Sequence, residues 1–199
     1  MRRVILVLSV LLIALMLVTG CAAPVEAQRD SDIVSVSFSF EKQQGYASNQ
    51  FAVWVEDMDG NLVKTLYVTK FTAKGGFEQR PDAIPVWVER AGIAQGSEVD
   101  AVTGATPKTG NVSFVWDLTD ESGARVADGT YSYFVEGTLR WKNHVLFTGE
   151  ITLDGSATTS EATAEYTYAA SDDADALTEA SPENAMITGV TAEYIPPVQ

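Results

Sequence analysis

At 199 residues, with 27 acidic against 13 basic side chains, the chain carries a formal net charge of −14. That balance argues against nucleic acid, whose phosphates demand a basic surface, and against adhesion of the protein body to anionic lipid headgroups. A single cysteine, Cys21, and a single histidine, His144, argue against a disulfide, a zinc–thiolate site and a His-rich metal site, and a Ser–His–Asp arrangement would have to pass through His144 alone.

Residues 1–20 have the architecture of a secretory signal peptide. Met1-Arg2-Arg3 is a short basic region, and Val4 to Val18 is apolar apart from Ser9, shorter than the ~20 residues of a comfortable bilayer span. Val18-Thr19-Gly20-Cys21 then resembles the lipobox of bacterial lipoproteins, in which the thiol is alkylated by diacylglycerol and the peptide is cut before it. The sole cysteine stands at the one position that this chemistry requires. The resemblance implies a lipid on Cys21, and loss of Arg2 and Arg3 would take the net charge from −14 to −16. Residues 21–32 read as the lipidated cysteine and a short polar tether between membrane and domain.

At Ile33 the pattern changes. Val34, Val36, Phe38 and Phe40 alternate with Ser35, Ser37 and Ser39, the period of a half-buried strand. Phe51, Val53 and Val55 repeat the alternation, and Asp59-Gly60 gives a hairpin signal ahead of a returning strand from Leu62 to Phe71. Lys64 and Lys70 point to a face reaching water or an edge guarded by lysine. From Thr72 to Thr109 the strand pattern lapses. Within that stretch Pro85 to Arg90, closed by Gly92, predicts one or two helical turns, with Pro at the first position and Gly past the end. A loop of this length in a compact domain is more often functional than idle, so a site is expected there.

Val112, Phe114 and Trp116 restore the alternation, and Asp120, Gly123, Asp128 and Gly129 mark turns before a strand carrying Tyr131, Tyr133 and Val135. Leu139 to Leu153 holds one long strand or a hairpin bending near Asn143, with His144 an exposed strand residue rather than a base. Residues 164–168 and 187–194 are weaker strand candidates, and the acidic run between them, SDDADALTEASPEN, has the composition of a disordered loop. Seven or eight strands with turns at short intervals predict an all-β fold, a single Ig-like antiparallel β-sandwich with a long loop and short helix inserted. The sandwich is expected over residues 33–154, followed by an acidic C-terminal segment, 155–199, with one or two possible added strands.

Side chains that could carry chemistry are few. Trp54, Trp87, Trp116 and Trp141 are expected mainly in the core, with Trp87, outside the strands, the one expected at the surface. Asp117, Asp120 and Asp128 lack the spacing of a calcium loop and are placed by turn chemistry. No nucleophile–base pair stands out, so neither a catalytic residue nor a metal site is assigned and the protein is not expected to be an enzyme.

Three resemblances add to this. Trp116-Asp117, Asp120, Gly123, Val126 and Gly129-Thr130-Tyr131 resemble the Ig-like module of flagellar hook-capping proteins, which usually carries Gly where this chain has Leu118. Over roughly Ser35 to Leu153 the chain resembles the periplasmic family named domain of unknown function 2271, on the blocks AVWVED (52–57), Gly60 with LVKTL (62–66), DAVTGAT (100–106), Gly110 and the Trp116–Tyr131 unit. The resemblance implies a β-sandwich in the cell envelope. The loop DAVTGAT also resembles the D-x-x-(S/T)-G-A-T signature of flavin-carrying subunits of membrane redox complexes, in which a periplasmic transferase esterifies the last Thr through the phosphate of FMN. By position Thr106 would be the acceptor, with Asp100, Thr103 and Gly104 as recognition residues. The alternative is a tight turn whose Thr hydroxyls cap backbone N–H groups.

The expected protein is thus an extracytoplasmic module, lipid-anchored to a bacterial membrane, binding or scaffolding an envelope protein partner through Thr72–Thr109. The alternative is an electron-transfer accessory with FMN on Thr106, and no nucleic acid partner is expected in either case.

Overall fold

The computed structural model describes residues 31–44, 49–93 and 103–197. Among them the strands are β1 (Ile33–Phe40), β2 (Phe51–Glu56), β3 (Leu62–Thr69), β4 (Thr103–Gly104), β5 (Gly110–Trp116), β6 (Gly129–Arg140), β7 (Asn143–Leu153), β8 (Thr158–Glu161), β9 (Thr163–Thr167) and β10 (Ile187–Ile195). One sheet runs β5-β1-β10-β8 and the other β4-β3-β2-β6-β7-β9. The pairings are antiparallel except for β4, which joins β3 in parallel over two residues. Two such sheets packed face to face are the β-sandwich that the alternation predicts.

The alternation is the cause. Val34, Val36, Phe38 and Phe40 of β1 turn inward while the serines between them do not. They meet Phe51, whose ring lies 5.6 Å from Phe38, 4.8 Å from Tyr67 and 5.9 Å from Phe114. Each such ring, fully buried, contributes roughly 1.5–3 kcal/mol by area alone. Turn chemistry then fixes the register. Asp57 accepts the backbone N–H groups of Asp59 and Asn61 while Gly60 sits at φ +82°. Leu118 stands at φ +58° and is fully buried. It takes the left-handed conformation that glycine would take more cheaply, costing ~1–2 kcal/mol and offset by the burial of its side chain.

The structure departs from the sequence reading in three places. First, β2 is not half-buried: all six of its residues are buried, because the segment after β3 folds back over the outer face of the second sheet. This segment comprises a turn at Thr72–Gly76, α1 (Phe77–Gln79) and α2 (Pro85–Arg90). With the sheet it builds a second core from Ala52, Trp54, Val68, Ala73, Ile84 and Trp87. Second, Trp87 is fully buried there, whereas Trp141, at φ +47° in the β6–β7 turn, is 41% exposed. The tryptophan expected at the surface is in a core and one placed in a strand is outside. Third, the sandwich does not finish at Leu153. β10 lies between β1 and β8, and the acidic run expected to be disordered is held down. Asn143 donates to the carbonyls of Arg140 and Asp175 and accepts the N–H groups of Ala169 and Leu177. Leu177 itself is buried.

The strands define two ends. At the first, Phe40 pairs with Gly110, Phe51 with Gly137, Thr69 with Gly104 and Arg140 with Asn143. The insertion and the threonine loop leave from this end. The opposite end carries the turns 57–61, 117–128 and 154–157.

Candidate functional site

The threonine loop is fixed where it leaves the sheet. Val68 pairs with Thr103 and Thr69 with Gly104, so the loop begins as a short extra strand on the open edge of β3. The Tyr67 ring is held at 4.8 Å from Phe51 and 4.7 Å from Phe114. From that anchored position its hydroxyl lies 3.1 Å from both the Gly104 and the Ala105 carbonyl oxygens, to which it donates. Burial pushes the phenol up to about 12, so it stays a neutral donor at any physiological pH. Gly104 has to be glycine: a Cβ there would lie 2.7 Å from Tyr67 Cε2, with no room to shift because the ring is wedged in the core.

The residues beyond Gly104 are less enclosed. Ala105 is exposed and Thr106 and Pro107 are half-buried. Among the described residues no hydrogen bond engages the Thr106 hydroxyl. Thr109 behaves differently, its hydroxyl accepting the Lys42 N–H at 3.0 Å. That bond reaches across to the end of β1 and is not a turn cap within Thr-Gly-Ala-Thr, where Thr106 caps no backbone N–H among the described residues. An unengaged hydroxyl next to an alanine, on a backbone clamped from behind, fits an acceptor for an esterified phosphate. Thr103 is described in its backbone only, and Asp100 and Cys21 lie outside the described residues.

The first half of the long stretch is committed to structure. Glu136, fully buried on β6, accepts the N–H groups of Val86 at 3.1 Å and Trp87 at 2.8 Å, satisfying the first turn of α2. Burial pushes its carboxyl up to about 7, against the pull of those two hydrogen bonds. Thr138 Oγ1 accepts the Ile84 N–H at 3.0 Å, and the Trp87 indole donates to Thr65 Oγ1 at 3.2 Å. Trp54 Nε1 donates to Glu56, whose other oxygen meets Arg90 at 3.4 Å. Nothing in the sequence around Glu136 marks it as a buried acid. Its placement opposite Ala52, on the face that α2 covers, is a tertiary fact.

The remaining residues with possible chemistry are accounted for locally. His144 is half-buried rather than exposed, and burial holds its imidazole below the ordinary value. Asp117 accepts the Thr119 N–H and hydroxyl, and Asp120 accepts the Ser122 hydroxyl and the N–H groups of Ser122 and Ala124. Those bonds, the side-chain ones first, hold both carboxyls below the usual range. Among the described residues no group of three or more His, Cys, Asp or Glu is placed to hold a metal ion.

Two sheets and a lid over one of them define a β-sandwich domain. The chain belongs to the DUF2271 family, described as a predicted periplasmic protein, whose family model matches residues 33–182. That description makes it an extracytoplasmic domain, and the match extends past Leu153 through β8 and β9 and into the acidic run. Neither the curated proteins nor the solved structures contain a match to this chain.

Proposed function

We propose that this domain is an envelope electron-transfer accessory, carrying FMN esterified to Thr106 and anchored to its membrane by lipid on Cys21. One observation carries the reading: the Thr106 hydroxyl makes no hydrogen bond among the described residues, while Tyr67 and Gly104 hold the backbone just before it. The loop DAVTGAT supplies the residue types of the flavin signature in order.

In the attachment step Thr106 Oγ1 forms an ester bond to the flavin-bearing phosphorus of a flavin adenine dinucleotide. The pyrophosphate bond breaks, AMP leaves and the hydroxyl proton passes to a base of the transferase. Once attached, the flavin supplies reversible electron transfer outside the cytoplasm. The chain's own contribution is positional. β3 and Tyr67 keep the acceptor on a fixed edge, and the small, exposed Ala105 beside it adds little bulk in the way of an incoming enzyme. A plain binding or scaffolding module is the broader reading of the same end; it too is non-enzymatic, and it loses the inward side chains of 72–93 as contact groups because they are spent on the sheet.

Coexpression with a flavin transferase tests the proposal by fluorescence on a denaturing gel and by intact mass. Wild type should gain one covalent FMN, and Thr106→Ala none; a colourless wild type under these conditions removes the flavin reading. Separately, Cys21→Ser should move the protein from the membrane to the soluble fraction, and unchanged membrane retention would remove the lipid anchor.

A further inference from the structure

The outer strand of a sheet presents a row of backbone N–H and C=O groups that a further strand can take. Folded domains guard such rows with brevity, charge, proline, bulges or a covering segment. Among the described residues the two sheets have four edges, and three are guarded in that way. β4 has two residues, and beyond it the flank of β3 is closed by the 117–126 turn. There Glu121 Oε1 accepts the Thr65 N–H at 2.8 Å and Lys64 donates to the Asp120 carbonyl. β8 has four residues and ends on Glu161, and β9 carries the exposed Glu165.

β5, the fourth edge, has none of these devices. Its sequence, GNVSFVW, contains no charged residue and no proline. Its pairing with β1 runs from Gly110 to Trp116 without a shift in register. Among the described residues no strand takes its other side. Val115 stands 56% exposed on one face of the strand, and Val112 and Phe114 are only half-buried on the other.

We infer that β5 is the edge through which two copies of this domain associate, pairing antiparallel about a two-fold axis at Ser113 and joining their four-stranded sheets into one. The strand's own sequence selects a second copy as the occupant. About that axis Asn111 faces Val115 of the other copy, Val112 faces Phe114, and Ser113 faces itself. The half-buried apolar pair of one copy is thereby covered by that of the other, as cross-strand pairs are in any sheet. The flanks are of opposite sign. Exposed Lys108 precedes the strand and exposed Asp117 follows it, so in an antiparallel pair each lysine arrives beside the other copy's aspartate. On a chain of net charge −14, two copies repel over most of their surface. An uncharged strand set between a lysine and an aspartate is where that repulsion is least. The inference goes beyond the flavin reading and needs neither Thr106 nor the anchor.

Cysteine trapping reads the register, using the full chain in neutral detergent with Cys21→Ser removing its own thiol. Facing Cα atoms in an antiparallel pair lie ~4.5–5.5 Å apart, within the ~4.4–6.8 Å that a disulfide spans. Ser113→Cys should therefore give a disulfide-linked dimer on mild oxidation, and Thr159→Cys, on the opposite edge of that sheet, should stay monomeric. Sedimentation of the Cys21→Ser chain then measures association, which should rise with concentration. Adding Asn111→Lys and Val115→Lys sets lysine against lysine across the axis, and should weaken the dimer roughly tenfold with the melting temperature unchanged. Asn111→Glu with Val115→Glu should weaken it likewise, and mixing the two variants should restore it, which a damaged fold would not do. A chain still monomeric at about 1 mM, equal trapping at both cysteine positions, or no recovery in the mixture would each overturn the inference.

Discussion

The stretch between β3 and β5 falls into two parts that the fold treats in opposite ways. Residues 72–93 are tied to the sheet: Glu136 takes two helix N–H groups, Thr138 takes the Ile84 N–H and Trp87 fills the second core with its indole bonded to Thr65. Residues 103–109 are held at their two ends, by a two-residue pairing and one tyrosine hydroxyl at the start and by the Thr109 hydroxyl on the Lys42 N–H at the close, and Thr106 between them has its hydroxyl unengaged among the described residues. Length of loop was the sequence signal for function, and it singled out both parts alike. Packing separates them: the first part fills a second core against the sheet, and the second leaves the Thr106 hydroxyl unengaged among the described residues.

Trp87→Ala should break the comparison most severely. Removing a fully buried indole costs about 3–5 kcal/mol and exposes the outer face of β2, so denaturant unfolding should shift by that amount. A loss under 1 kcal/mol would mean the lid is not packed as described. Next in size is the pH dependence of Glu136. Its folded value, about 7, lies above the ordinary 4.5. The folded state therefore holds the proton more tightly, and stability is fully present below the unfolded value and lost as pH rises through the folded one. By linkage the loss across that window is on the order of 3 kcal/mol. His144, whose imidazole burial holds down, acts with the opposite sign in part of the window. The decisive quantity is thus the difference between wild type and Glu136→Gln, measured by melting temperature from pH 4.5 to 7.5. The difference should change steadily with pH, and a constant offset would sink the assignment.

Tyr67→Phe is expected to cost about 1 kcal/mol, the net worth of a hydrogen bond, while loosening the threonine loop; amide exchange should speed up at Ala105 and Thr106 and stay as it was in the lid. Gly104→Ala attacks the same contact sterically, through a Cβ 2.7 Å from the Tyr67 ring. If exchange accelerates in the lid as well, the two parts are not independent.

Much of the sandwich was legible because one face of each strand meets water. Val34, Val36, Phe38 and Phe40 announce their strand through the serines between them, and Asp59-Gly60 announces its turn. The signal failed where water was absent or the partner was distant. β2 is covered on both sides: its alternation put Phe51, Val53 and Val55 on the face that meets the other sheet, but gave no sign that Ala52 and Trp54 opposite are buried as well. β8 reads TTSE and β4 has two residues, and each exists because a far strand offers it hydrogen bonds. Trp87 and Trp141 exchanged their expected places for the same reason, since a segment with no strand pattern can still bury a ring when it folds back on a sheet. Of the site, the Thr-Gly-Ala-Thr residue types were visible, but the contact that gives Gly104 its meaning joins residues 37 apart in the chain.

The smallest expected effect is the most discriminating. A hydroxyl kept for structure should cost something to remove, and one kept for attachment should cost nothing until the attachment is assayed. Thr109, which accepts the Lys42 N–H, is the internal standard: Thr109→Ala should lose roughly 0.5–1.5 kcal/mol. Thr106→Ala, with no bond to lose among the described residues, should stay within about 0.5 kcal/mol of wild type in denaturant unfolding. If Thr106→Ala instead costs as much as Thr109→Ala, its hydroxyl is a turn cap after all, and the case for a presented acceptor on this loop loses the observation that carries it.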